Sequence, residues 1–327
     1  MDVLADVTRA ISLQGALYFE VHASHPWISM NPSMEQVGAA MMPDAGCVIP
    51  FHIILDGQIF AKLGDDSYGP VSIGSGDVLI LPSGGKHVIT SDVDTWEGTP
   101  ADVAFYLNAA KSSRPFTMME IGEGGDKASL VCGYFGCDRS PFNPLLNILP
   151  GMVILKNLLD EDPLMPELVK TAVIESKDDW EGTKTMVTKL SELMFLRALK
   201  QTMDTLEAQN VQNWLTALKD KHVGRVLELI HEDPTRKWTL ELLSKNAGLS
   251  KSALSEKFNR FVGEPPISYI TRWRMELACR LLEQGEKISA VAQQIGYESE
   301  SAFQRSFKKI MGLPAGQWKR KQTQIEV

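Results

Sequence analysis

The last hundred residues state the same pattern twice. WTLELLSKNAGLSKSALSEKFNRFVGEPP is followed by KISAVAQQIGYESESAFQRSFKKIMGLPA, and an internal repeat of this length is one supersecondary unit used twice. Up to the turn glycine the copies match at an offset of 48: Leu240 with Ile288, Ser244 with Ala292, Gly248 with Gly296. Beyond it the offset is 49: Leu254 with Phe303, Phe258 with Phe307, Phe261 with Ile310, Gly263 with Gly312, Pro265 with Pro314. One residue has been inserted in the second turn.

Each copy spells a helix-turn-helix. A short helix over about 240–247 ends at a glycine able to take the left-handed conformation that closes a helix. A small residue, Ser244 or Ala292, lets two helices approach. Ser250 and Ser299 are placed to cap the next helix. That helix sets Leu254, Phe258 and Phe261, or Phe303, Phe307 and Ile310, on one buried stripe, and Gly then Pro ends it. The opposite face is polar: Lys251, Ser252, Ser255, Glu256, Asn259 and Arg260 in the first copy, Glu300, Ser301, Gln304, Arg305 and Lys308 in the second. A solvated surface would explain one such face; two matched faces behind matched stripes and stops point to a partner. A helix of this kind fits the DNA major groove, where Arg305 suits guanine, Gln304 adenine and Glu256 cytosine, with Ser252 and Ser255 permissive. PISYITRWRMELACRLLEQG lies between the copies. Ile270, Trp273, Leu277 and Leu281 make it one helix with a buried face, flanked by Arg272 and Arg274. Such a connector sets the two reading helices roughly one turn of DNA apart.

Charge agrees. The chain has 327 residues and a net charge of −8. Residues 218–327 nevertheless hold 19 Lys and Arg against 13 Asp and Glu, whereas residues 1–217 hold 14 against 28. A basic tail on an acidic front is the footprint of a nucleic-acid-binding domain. The length calls for two domains. No apolar run reaches the ~18 residues of a membrane span, so no membrane partner is expected. MDVLADVTRA carries acids and no apolar core, unlike a secretory signal. With four cysteines in the whole chain, a disulfide scaffold is not expected either; the expected location is cytoplasmic.

The front two hundred residues read as short strands and then helices. Strand candidates are GALYFEV, CVIPFHIIL, QIFAKL, DVLILP, DVAFYL and ASLVCGYF, punctuated by GDDSYGP and IGSGD. From about 143 to 208 the pattern is helical. TKTMVTKLSELMFLRALKQTM carries Met186, Val187, Leu190, Leu193, Met194, Leu196 and Leu199 on more than one face, which suits core packing and contact with a second copy.

Trp238-Thr239, GLSKSALSEKF, VGEPPISYITRWRMELA and VAQQIGYESESAFQRSFKKIMGLPAGQWKR resemble the double helix-turn-helix domain of AraC/XylS-type bacterial transcription regulators. The resemblance covers about residues 220–321. It implies sequence-specific binding to double-stranded promoter DNA, with activation through RNA polymerase. By position, the base-facing residues are Ser252, Ser255, Glu256, Ser301, Gln304 and Arg305. Glu256 stands where members of the family often place a cation, so the first unit would read fewer bases.

LPSGGKH resembles the second motif of a cupin, a small double-sheet barrel: Gly76, five residues, Pro82, Gly84, His87. The first motif is broken. Gly46 and His52 fit, but Ile54 stands where a second histidine belongs and Gln58 is the nearest substitute for a glutamate. Two ligands of four do not hold a catalytic metal, so neither an enzyme nor a resident cofactor is expected; a metal-dependent cupin enzyme with a DNA-binding tail is the remote alternative. HPWISM, FHIILDGQ, LVCGYFGCDRS and NPLLNILPGM are similar to the cupin-type sensor halves of certain AraC-type regulators. The expected fold class is therefore α+β: a cupin-like sensor domain over 1–208 (barrel about 1–140, helical dimerisation segment about 143–208), a linker over 209–219, and the DNA-binding domain over 220–321. Two readings of the barrel compete. Trp27, His52 and His87 could line a pocket for a small-molecule effector, or Cys47, His52, His87, Cys132 and Cys137 could form a cluster that senses zinc or oxidants. A homodimer is expected, and the segment around 204–220 is the expected coupling element.

Overall fold

The computed structural model describes residues 3–4, 6–7, 13–42, 45–98, 116–137, 149–178 and 180–325. The expected strand DVAFYL, and residues 143–148 of the expected helical segment, lie outside the described residues. Two compact units emerge: Ser12–Arg139 with Leu149–Thr205, and Leu206–Val327 with Met1–Ile11 and Ser140–Ile148.

The first unit is built from β1 Leu13–Ser24, β2 Ile28–Asn31, α1 Met34–Met41, β3 Cys47–Asp56, β4 Gln58–Leu63, β5 Val71–Gly74, β6 Val78–Ile80, β7 His87–Thr90, β8 Phe116–Gly122, β9 Lys127–Cys137 and β10 Val153–Leu155. Helices α2 Leu158–Glu161, α3 Met165–Lys177 and α4 Thr183–Ala208 follow. Six strands form one sheet in the order β10-β6-β3-β9-β1-β8 and four form a second in the order β2-β7-β4-β5. The helical segment thus also supplies a strand, β10, which pairs antiparallel with β6.

CVIPFHIIL is almost continuously apolar because β3 is covered on both faces. Phe19, Val48, Ile54, Leu130, Cys132 and Tyr134 belong to the core between the sheets. Tyr18, Phe51 and Phe135 alternate to the other face, where Phe51 stacks on Phe135 with ring centroids 4.2 Å apart. Helix α4 closes that face: Phe195 meets Phe135, and Ser191 Oγ lies 2.6 Å from the Tyr18 hydroxyl. The turn in LPSGGKH needs glycine at position 84. Its φ is +64°, and an added Cβ would lie 2.9 Å from the Val48 carbonyl oxygen and from Met34 Cβ.

The second unit contains α5 Trp214–Ala217, α6 Val223–Glu232, α7 Leu240–Ala247, α8 Lys251–Val262, α9 Pro266–Glu283, α10 Ile288–Gln294, α11 Glu300–Met311 and α12 Ala315–Ile325. Val3, Leu4, Asp6 and Val7 group here rather than with the barrel. Val3 and Val7 are buried, and the Asp6 carboxylate stands 3.6 Å from His231 Nδ1. The stretch expected as a linker holds α5. Its Trp214 is fully buried, donates its indole N–H to Tyr269 Oη at 3.1 Å, and lies within the capping box of Asn213 and Thr216.

The repeat is reproduced in its turns and in the caps of its second helices. Leu249 N–H donates to Ser244 O at 3.0 Å, as Tyr297 N–H does to Ala292 O at 2.9 Å. Ser250 Oγ accepts from Ala253 N–H, and Ser299 Oγ from Ala302 N–H. The stripes match as well: Leu254, Phe258, Phe303 and Phe307 are completely buried, whereas Phe261 and Ile310 are half-buried in both copies. Phe258→Ala and Phe307→Ala are each expected to lower stability by about 3–5 kcal/mol through the cavity they leave. Phe261→Ala should lower it clearly less. Urea unfolding of the full chain, followed by tryptophan fluorescence, measures the three.

Candidate functional site

Serine caps and αL glycines fix where α8 and α11 begin and end, and the buried stripes fix which way they face. Lys251, Ser252, Glu256, Asn259 and Arg260 of α8 are exposed and Ser255 is half-exposed; Glu300, Ser301, Arg305 and Lys308 of α11 are exposed and Gln304 is half-exposed. The two faces differ in how their charge is used. Every cation of α8 is ion-paired: Lys251 with Glu241 at 3.0 Å, Lys257 with Asp220 at 2.7 Å, Arg260 with Glu256 at 3.0 Å. Among the described residues Arg305, Lys308 and Lys309 of α11 have no ion pair. Lys309 was missed from the sequence, although it sits beside Lys308 in the last turn and is exposed. Of the connector arginines, Arg272 reaches Glu264 at 3.5 Å. Arg274 donates to the carbonyls of Pro234 and Arg236 and so holds α9 to the loop before α7.

In the barrel unit, His52 on β3 and His87 on β7 come from opposite sheets and meet with their Nε2 atoms 2.9 Å apart. The partners fix the tautomers. His87 Nδ1 faces the Gly85 carbonyl at 3.2 Å, which can only accept, so His87 carries its proton on Nδ1 and accepts at Nε2. His52 must then donate from Nε2 and accept at Nδ1 from the Cys132 thiol, 2.9 Å away. The chain Cys132 to His52 to His87 to Gly85 thus runs in one direction with every donor used. Burial holds it neutral. It lowers His52 well below the ordinary histidine value, helped by His87; it lowers His87 to about 4 against the Gly85 hydrogen bond; and it pushes the Cys132 thiol up.

Trp27, the third residue expected at this site, immediately precedes β2, the strand paired with the one that carries His87. Its backbone N–H donates to Ser91 Oγ, four residues along the chain from His87. Its ring packs in the hydrophobic core between the sheets, and its buried indole N–H has no hydrogen-bond partner among the described residues. The five Cys and His residues do not gather. Cys47 is joined to Cys137, while Cys132 serves His52. Among the described residues no group of three or more His, Cys, Asp or Glu side chains is placed to hold a metal ion. No helix of the described residues is long and apolar enough to cross a membrane.

Known proteins match this arrangement. The cupin family matches residues 2–204, and a helix-turn-helix domain family matches residues 243–321. An AraC-like transcription regulator of Streptomyces lividans is 28% identical over 99% of each chain. The HTH-type transcriptional regulator AlkR of Acinetobacter baylyi is 24% identical over 94% of this chain and 96% of its own. Among solved structures, fatty-acid-bound ToxT of Vibrio cholerae is 14% identical, with a TM-score of 0.35 over 94% of this chain and 95% of its own. The chain belongs to the AraC-type DNA-binding transcription regulators that carry an N-terminal cupin domain.

Proposed function

We propose that this regulator is a one-component, cytoplasmic activator: a small-molecule effector binds in the cupin-like domain, the chain dimerises, and the paired reading helices bind a promoter and engage RNA polymerase. One observation carries the DNA half of this reading. Two identically capped helices present polar faces from one shared connector. Ser252, Ser255, Glu256, Ser301, Gln304 and Arg305 are assigned to bases. Lys251, Arg260, Arg272, Lys308 and Lys309 are assigned to phosphates, Glu300 to the edge of the contact, and Arg274 to positioning.

The effector half rests on His52, His87 and the unpartnered Trp27 N–H. Each imidazole is satisfied by the other, so an effector that bonds either one must replace the bond between them. That gives the site two states, which a ligand needs in order to shift an equilibrium. Dimerisation is assigned to α4, which buries Val187, Met194, Phe195 and Leu199 yet leaves Met186, Leu193 and Leu196 exposed.

The deciding experiment is capture and sequencing of genomic fragments bound by the purified protein, with and without candidate effectors. Recovery of a shared motif, including beside its own gene, supports the reading; recovery of unselected DNA overturns it. Three further outcomes are expected. Arg305→Ala should weaken the specific site by about 1–3 kcal/mol and relax one base position; equal weakening on all sequences would make Arg305 a phosphate contact. Arg260→Gln removes one assigned phosphate contact, so the plot of log affinity against log salt should flatten by about one unit, as fluorescence anisotropy would read.

The third outcome concerns pH. Both barrel histidines titrate below their unfolded value. Between about pH 6.5 and pH 4 the unfolded chain therefore takes up protons that the folded barrel refuses. Stability is full above about pH 6.5 and falls toward pH 4 by roughly 1 kcal/mol per pH unit for each histidine. Thermal melts across that range should show the fall, and His87→Gln should make it shallower.

A further inference from the structure

We propose that Cys47 and Cys137 are a reversible thiol–disulfide pair which oxidants of the hydroperoxide class close, and that closing it changes the affinity of the chain for promoter DNA. The second half rests on the function proposed above. The pair is built into the barrel by strand register. Cys47 opens β3, Cys137 ends β9, and the two are directly paired across the antiparallel ladder. Their Cα atoms are 5.4 Å apart and the sulfurs are bonded. That separation lies inside the range a disulfide spans, so the pair opens or closes without moving the strands. Gly46 N–H donates to the Cys137 carbonyl at 2.8 Å and keeps the two ends together in either state.

The two residues differ in exposure. Cys47 is half-exposed and Cys137 fully buried, so Cys47 meets the oxidant and Cys137 resolves. The Cys47 thiolate attacks one peroxide oxygen, the O–O bond breaks, and an alcohol (water, for hydrogen peroxide) leaves with a proton. The Cys137 thiolate then attacks the sulfenic sulfur, and hydroxide leaves as water. Two thiols and one hydroperoxide become one disulfide, one alcohol and one water; a dithiol reverses the change by exchange. Cys132, five residues back on β9, is buried and has given its S–H to His52, so it stays outside this chemistry.

Where such a protein meets its DNA the compartment is reducing, and a disulfide there is transient or redox-sensing rather than a permanent staple. The position suits a switch. Cys137 is the last residue of β9. Gly136 beside it receives the connector from α1, with Met42 Cε 2.6 Å from where a Cβ at position 136 would sit. Oxidation adds a covalent tie between the end of β9 and the start of β3, and reduction leaves the hydrogen-bonded ladder alone to hold them.

The test uses the full chain with hydrogen peroxide and dithiothreitol, alkylation under denaturing conditions read by mass, and anisotropy on a double-stranded fragment recovered by the capture experiment. All four cysteines of the chain should alkylate after reduction and two after peroxide. DNA affinity should change by at least about fivefold, the lower end of ordinary allosteric coupling, and dithiothreitol should restore it. Cys47→Ser should abolish the response, as should Cys137→Ser where it folds, and Cys279→Ala, at the other free cysteine outside the barrel, should keep it. A disulfide that survives excess dithiothreitol in the folded protein, a pair that peroxide does not close, or closure with unchanged affinity would each overturn the proposal. Specific DNA binding absent in both redox states would instead overturn the regulator reading together with the coupling, and the alkylation count would still decide the chemistry of the pair.

Discussion

Helix α9 gives one apolar stripe to two cores, and the geometry of the whole helical unit hangs on that sharing. Tyr269, Ile270 and Trp273 are buried toward its start, and Phe258 of the first reading helix meets Tyr269 edge-on, centroids 5.8 Å apart. Met275, Ala278, Cys279 and Leu282 are buried in the second core with Phe303 and Phe307 of the other reading helix. Neither helix-turn-helix has enough apolar surface to close by itself. Each borrows a different stretch of the same helix, and Tyr269 Oη gathers Trp214 and His231 into the first core as well.

The barrel solves a different problem. Its interior is apolar apart from a few polar groups, and a charged imidazole there would be costly to bury. Linking thiol, imidazole, imidazole and carbonyl head to tail satisfies each donor without any charge. In a motif that resembles one supplying metal ligands elsewhere, the lone pair of His87 is engaged by His52.

The C-terminal half was legible in the sequence because its information is local. Caps, αL glycines and stripes act within a dozen residues, and the offset change from 48 to 49 located the longer second turn. The barrel was less legible because its information is register. Nothing local tells that Cys47 lies opposite Cys137 while Cys132 lies opposite His52, so five residues that read as one cluster resolve into a pair and a chain. Trp214 hid for a similar reason. In a stretch of mixed polar composition a single tryptophan carries no period, and only its distant partner Tyr269 reveals that the linker is packed. The N-terminal residues joined the helical unit through Val3, Asp6 and Val7, too short a run to show a preference.

One contact adds a second anchor between the two halves of the helical unit. Gly296, in the turn of the second repeat, lies so close to the loop of the first that a Cβ there would stand 2.6 Å from Thr235 O, while Arg274 binds carbonyls of the same loop. With α9 running 18 residues, about 27 Å at helical rise, the distance and tilt between the reading helices are held at two points instead of one. A two-point brace does not stretch to suit its substrate. Where the successive grooves of an operator do not fall at that distance, the adjustment passes to the double helix, which must bend or twist. Base steps lying between the contacted segments then influence affinity through their stiffness alone.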